Sequence, residues 1–164
     1  MIKAVFPPQL VPGDTIGVVS PASTPNPDRL NAGIDYLKKK GYNIFTGSHV
    51  DKKTGYLAGS DSERVNDLNN MISNPDIDAI ICSRGGYGCG RIVSQLDYHA
   101  IAQNPKPLVG YSDITTLNLA LFARCNLVSY SGPMVAVEMG KGIHPFTEKW
   151  FWKVMNDPYP HTLH

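Results

Sequence analysis

The chain lacks any apolar run approaching the ~20 residues that a membrane-spanning helix needs. Its start, Met1-Ile-Lys-Ala-Val-Phe-Pro-Pro, also lacks the apolar core of a secretory signal. Both absences point to a cytoplasmic protein with no membrane partner. Cysteine is scarce. Cys82, Cys89 and Cys125 are an odd number without metal-ligand spacing, which argues against a disulfide framework and a metal centre. Reduced thiols are the simplest account. Cys89, inside a glycine-rich loop, is the one thiol to watch, since an exposed thiol near a helix N-terminus can be reactive. Charge of one sign is missing too: 15 Lys and Arg against 14 Asp and Glu leave a formal net charge of +1, with no basic stripe. Nucleic acid is therefore not an expected partner. No cofactor motif is complete. The sequence Gly86-Tyr-Gly88-Cys-Gly-Arg91 puts arginine where the dinucleotide fingerprint has its third glycine. No acidic ribose partner follows about 20 residues later, and no Gly-Lys-Ser/Thr is present. No cofactor is expected.

What remains is a globular composition, 42% hydrophobic over 164 residues, enough for one domain with a real core. Short apolar runs alternate with helical patterns. Strands are predicted at Thr15–Ser20, Tyr42–Thr46, Ala79–Cys82, Leu108–Val109 and Leu127–Ser129. Helices are predicted from Pro27 or Asp28 to about Lys40, with a Leu30, Ile34, Leu37 stripe, and from about Ser62 to Ser73, with Val65, Leu68 and Ile72 facing in. One or two short helices follow the glycine loop. Another helix starts near Asp113 with Ile114, Leu117, Leu121 and Phe122 on one face. Such alternation predicts an α/β fold, a Rossmann-like three-layer parallel sheet with helices on both faces. Right-handed crossovers would bring the strands' C-terminal ends to one edge, where ligands bind. Ser20, the glycine loop and Ser112 all fall at that edge. The tail from Pro145 differs: Phe146, Trp150, Phe151 and Val154 form a helical stripe, followed by Pro158 and Pro160.

Pro107-Leu-Val-Gly-Tyr-Ser-Asp-Ile-Thr-Thr116 carries the most chemistry. A serine on a sharp turn between a buried strand and a helix has its hydroxyl pushed out, facing the free N–H groups of the helix start. Gly-x-Ser-x-Gly would need glycine at 114, where Ile114 stands. The alternative is a helix N-cap, with Ser112 or Asp113 accepting a backbone N–H. The loop after Ala79–Cys82 holds Gly85, Gly86, Gly88 and Gly90, more than a plain tight loop needs. Glycines let backbone N–H groups approach a ligand, and two such groups beside a serine hydroxyl make an oxyanion hole. Arg84 and Arg91 flank the loop. Either is able to hold a carboxylate in a bidentate pair, or to stay solvated.

Three segments in order resemble the N-terminal half of the LD-carboxypeptidases, the serine peptidase family that includes the microcin-immunity peptidases. They are Leu10-Val-Pro-Gly-Asp-Thr-Ile-Gly-Val-Val-Ser-Pro-Ala-Ser23, Ser83-Arg-Gly-Gly-Tyr-Gly-Cys-Gly-Arg91 and Gly110-Tyr-Ser-Asp-Ile-Thr115. Ser131-Gly-Pro-Met134 also fits. The resemblance implies that Ser112 is the nucleophile, and that the N–H groups of Asp113 and of the Gly85–Gly86 pair form the oxyanion hole. Arg84, Tyr87 and Ser20 become the substrate-binding candidates, with Arg84 reading a terminal carboxylate. It further implies a Ser-Glu-His triad whose Glu and His come from a C-terminal domain, a homodimer, and a murein tetrapeptide substrate that loses its terminal D-alanine. Residues 1–144 would then be the nucleophile-bearing domain. Residues 145–164 would be a packing helix and the start of a linker to that C-terminal domain, and the fragment alone would be inactive. No histidine here has a partner carboxylate at a suggestive spacing: His99 falls in a helical pattern, His49 and His144 in loops, His161 and His164 in the tail. Glu138 reads as a surface or helix-end carboxylate, or as a residue at the site mouth. The other readings are a microcin-type peptidase, a catalytically silent peptide-binding module, and a phosphate or nucleotide binder, against which the failed glycine spacing argues.

Overall fold

The computed structural model describes residues 3–157. Four strands, β1 (Thr15–Val19), β2 (Asn43–Thr46), β3 (Ala79–Cys82) and β4 (Leu108–Val109), form a parallel sheet in the order β2-β1-β3-β4. Six helices connect and flank them: α1 (Pro27–Lys39), α2 (Asp61–Ser73), α3 (Cys89–Ile92), α4 (Tyr98–Gln103), α5 (Thr115–Cys125) and α6 (Pro145–Asn156). The three-layer parallel α/β architecture is as the alternation predicts.

Side chains alternate across the sheet, as period-two geometry requires. Val19, Ile80, Cys82 and Leu108 face one core, shared with α2, α3, α4 and α5. Ile16, Val18, Ala79, Ile81 and Val109 face the other, shared with α1, α6 and residues 135–139. The helix starts follow local chemistry. The Asn26 side chain accepts the Arg29 N–H before Pro27, and Ser60 and Glu63 form a reciprocal capping box at α2.

Three expectations change. Leu127–Ser129 is no strand: Leu127 and Tyr130 make isolated parallel bridges to Val5 and Val109, which extend the sheet edge without a continuous ladder. On α5, Phe122 is about half exposed while Leu117 and Leu121, and Ile114 just before the helix, are buried. On α6 the buried residues are Phe151 and Met155, whereas Phe146 and Val154 are exposed. The reason is aromatic. Trp152 stacks on Tyr42 at 5.0 Å between ring centroids and meets the Phe151 edge at 4.8 Å, which turns that face of α6 to the core. The linker reading of Pro158 and Pro160, with His161 and His164, lies outside the described residues.

Residues Val135–Met139 form a π-helical turn that the sequence pattern does not announce. It is pressed onto α1. A methyl group added at Gly33 would stand 2.0 Å from the Val135 carbonyl oxygen, and one at Gly140 would stand 2.1 Å from that of Arg29. Only glycine permits so close a backbone approach.

Candidate active site

The four strands deliver Ser20, Gly47, Ser83 and the turn Gly110–Ser112 to one edge. β4 ends at Val109, and the next N–H, that of Gly110, donates to the Tyr130 carbonyl at 3.0 Å. Ser112 opens a 3-10 turn, Ser112–Ile114, that runs into α5. Its φ is +62°, and among the described residues Asn126 is the other non-glycine with positive φ. A left-handed serine at a strand-to-helix turn is a strained residue that its surroundings must hold in place. Ser112 does not cap the turn by a side-chain hydrogen bond. The Asp113 carboxylate instead reaches across to accept the Cys89 N–H at 2.9 Å, tying the start of α3 to the serine turn.

The glycine loop meets that turn. A methyl group at Gly85 would lie 3.0 Å from Ser112 Cβ and 3.2 Å from its Oγ, so the loop backbone packs directly on the serine. Ser23 brackets the loop from the other side. Its N–H donates to the Gly85 carbonyl at 3.4 Å, and its hydroxyl accepts the Tyr87 N–H at 3.2 Å. Across a planar trans peptide the N–H points opposite to the C=O. The Gly86 N–H is therefore directed away from Ser23. Gly86 itself has φ +121°, and a methyl there would fall 2.2 Å from Ser23 Oγ. Sequence reasoning had Ser23 only as the end of a matching segment, because its role depends on a contact more than sixty residues away.

The flanking residues divide. Arg84 lines a groove of about 710 Å³ together with Ser23, Asn26, Asp51, Lys53 and Tyr56. Its Nε donates to the Gly85 carbonyl at 3.2 Å and its Nη1 to that of Thr24 at 3.4 Å, and it makes no ion pair among the described residues. Tyr87 is exposed and meets the Tyr56 ring edge-on at 5.9 Å. Ser20, by contrast, is turned inward. Its hydroxyl donates to the Val50 carbonyl at 2.5 Å, which uses its one proton, so the Ser83 hydroxyl donates to it at 2.6 Å. Ser20 is 4% exposed, and its two hydrogen bonds hold the ends of β1 and β3 to the loop after β2. Arg91 does hold a carboxylate in a forked pair, but that of Asp61 in this chain, with Nε on Oδ1 at 2.9 Å and Nη2 on Oδ2 at 2.9 Å. Asp61 also pairs with Arg64, whose buried guanidinium donates to the carbonyls of Pro21 and Gly88 and so fastens the glycine loop to the turn after β1.

Cys89 is not an exposed thiol. It is fully buried, its Sγ lies 3.7 Å from the Pro21 carbonyl, and burial pushes its pKa far up. Glycines around it suggested openness, but the Asp113 contact closes the loop over it. His49 does have a carboxylate partner, Asp67, at 2.9 Å, against the expectation from spacing. It follows β2, however, on the far edge of the sheet from β4. Three strand spacings put it roughly 14 Å from Ser112, too far for a base. His99 is exposed on α4, and His144 caps α6 through Nδ1. Beside Tyr111 a second pocket of about 620 Å³ opens under α6, lined by Ser131, Glu138, Phe146 and Trp150 among others.

A parallel α/β domain carrying a left-handed serine at the C-terminal end of a strand, against a glycine loop, is the class that the fold and site define. Residues 16–132 match the LD-carboxypeptidase N-terminal domain, and the chain belongs to that family. It is 39% identical over 153 residues to the probable murein peptide carboxypeptidase of Bacillus subtilis, covering 90% of this chain and 48% of that protein. Its fold is similar to that of the microcin C7 self-immunity protein MccF in its apo state, with a TM-score of 0.89 and 31% identity, over 98% of this chain and 50% of the other. MccF is also a curated relative from Escherichia coli. The muramoyltetrapeptide carboxypeptidase of Oxalobacter formigenes superposes with a TM-score of 0.80 at 33% identity, over 88% of this chain and 48% of the other. The chain thus spans about half the length of the relatives it matches.

Proposed function

We propose that this chain is the nucleophile-bearing half of a serine LD-carboxypeptidase that removes terminal D-alanine from murein tetrapeptides. The carrying observation is the left-handed Ser112 packed against Gly85. In this reading Ser112 Oγ attacks the carbonyl that joins an L-configured centre, diaminopimelate or lysine, to D-alanine. The N–H groups of Asp113 and Gly86 stabilise the oxyanion, with Gly85 supplying the close approach. D-Alanine departs with a proton, the acyl group stays on Ser112, and water releases it. A serine hydroxyl needs a base for both steps. The base and its orienting carboxylate, a His and a Glu, come from a C-terminal domain, so residues 3–157 alone turn over poorly. The names of the Bacillus and Oxalobacter relatives support the murein substrate. The MccF likeness supports a second reading, a peptidase for peptidyl-nucleotide conjugates. Incubating the protein that carries both domains with a murein tetrapeptide and with aspartyl sulfamoyl adenosine separates the two. D-Alanine release from the first supports the carboxypeptidase, and cleavage of the second alone supports the microcin-type enzyme.

Arg84 is the proposed reader of a substrate carboxylate, with Tyr87 at the groove's lip. A charge-assisted hydrogen bond contributes about 1.5–3 kcal/mol, so Arg84→Gln is expected to raise KM by about 10–100-fold. A kcat that holds while KM rises checks this. An unchanged KM would leave Arg84 a solvated surface cation.

A further inference from the structure

The catalytic reading leaves one carboxylate unused. Glu138 sits in the π-turn Val135–Met139, a form that is rare and concentrated at functional sites. Its Oε1 accepts the Tyr111 hydroxyl at 2.7 Å, and its Oε2 accepts the Met134 N–H at 3.0 Å. Tyr111 immediately precedes Ser112. Its phenol is pushed up to about 12, chiefly because it donates to Glu138, so the pair stays intact through the neutral range. The same turn holds the other half of the site. The Ala136 N–H donates to the Ser83 carbonyl at 2.8 Å, two residues before Gly85. Behind it, Gly33 and Gly140 allow the turn to seat directly on α1. One short turn, clamped to a helix, therefore grips both strand ends from which the serine and the glycine loop emerge.

We propose that this π-turn, through the Glu138–Tyr111 hydrogen bond, sets the position of Ser112 against the Gly85–Gly86 loop, which makes Glu138 a positioning residue. The proposal rests on the reading of Ser112 as nucleophile. A serine at φ +62° is held by its neighbours rather than by its own preference. The residue before it is fixed twice: the Tyr111 carbonyl accepts the Ile114 N–H at 3.3 Å, and its hydroxyl is held by Glu138. Loss of the second anchor lets the turn shift, and an error of an ångström at a nucleophile costs about 100-fold in rate.

The test uses the protein carrying both domains and four variants: Tyr111→Phe, Glu138→Gln, Glu138→Ala and the double Glu138→Ala/Tyr111→Phe. Two rates are read, D-alanine release and covalent labelling of Ser112 by a fluorophosphonate. Glu138→Ala should lower kcat and labelling by about 10–100-fold with KM within about twofold. Tyr111→Phe should lose nearly as much, and the double variant no more than Glu138→Ala, because each removes the same bond. Glu138→Gln, with its oxygen on the Met134 N–H and its amide donating to the Tyr111 hydroxyl oxygen, keeps a bond at both places and should recover most of the rate. Unchanged kcat and labelling in Tyr111→Phe, a loss confined to KM, or additive losses in the double variant would each overturn the proposal. Should Glu138→Ala fail to fold, Tyr111→Phe and Glu138→Gln decide. Wild-type protein that labels but releases no D-alanine would overturn the murein substrate alone, and the labelling rates would still decide the positioning. Wild-type protein that neither labels nor hydrolyses would overturn the nucleophile and this proposal together.

Discussion

Ser112→Ala in the two-domain protein will abolish D-alanine release, with a fall in kcat on the order of 10⁴–10⁶-fold. The substitution is clean because alanine carries the same Cβ into the same left-handed backbone as serine, φ +62°. Strain is thus unchanged, and only the hydroxyl is lost. The N-cap position of the turn is Tyr111 and carries no side-chain cap bond, so the substitution removes no cap. The melting temperature should therefore stay within about 1 °C of wild type, under the roughly 2–4 °C that a 1 kcal/mol change gives a chain of 150–250 residues. Peptide binding should persist, since the groove by Arg84 and the glycine loop are untouched. Kinetics with a murein tetrapeptide, paired with calorimetric binding, measure both. Full activity in the variant would reduce Ser112 to a turn residue. A protein that binds equally well with serine or alanine and never turns over would be the silent peptide-binding module.

Gly33→Ala should lower stability strongly. The added Cβ would stand 2.0 Å from Val135 O and 2.7 Å from Val135 C. Both are backbone atoms in a turn bonded to Ser83 and Tyr111, so no rotamer change relieves the contact. Alanine's helix propensity returns only about 1 kcal/mol over glycine. Overpacking of this kind costs about 3 kcal/mol or more, a drop of roughly 6–12 °C in Tm. Gly90→Ala is the control. A methyl there meets nothing within 4 Å, and its effect should be near zero or slightly stabilising. Thermal unfolding of the two variants beside wild type decides the matter. Equal melting temperatures for Gly33→Ala and wild type would mean that the π-turn does not rest on α1.

The parts of this molecule that could be read in advance are those written in consecutive residues. Ala79–Cys82 and Leu108–Val109 are short apolar runs stopped by polar or glycine residues, and both are strands with those bounds. The glycine loop and Ser112 follow them directly, so a parallel topology brings them to one edge without further information. The π-turn was illegible for the opposite reason. Val135-Ala-Val-Glu-Met139 has no period that distinguishes it, and the close approach that seats it is to Gly33, about a hundred residues earlier. Glu138 with Tyr111, and His49 with Asp67, are likewise pairs between elements. Cys89 misled because glycine content reports backbone freedom, not exposure. On α6 two apolar faces overlap, and the Tyr42–Trp152 stack rather than the pattern chooses between them.

A chain that keeps serine at φ +62° is less robust than its own glycine variant. Glycine enters that region freely, and a side chain there costs about 1 kcal/mol. Heat resistance and reactivity therefore pull position 112 in opposite directions. A library randomised at that codon and screened only for survival at high temperature would drift to glycine or asparagine. The serine would return only when turnover joins the screen.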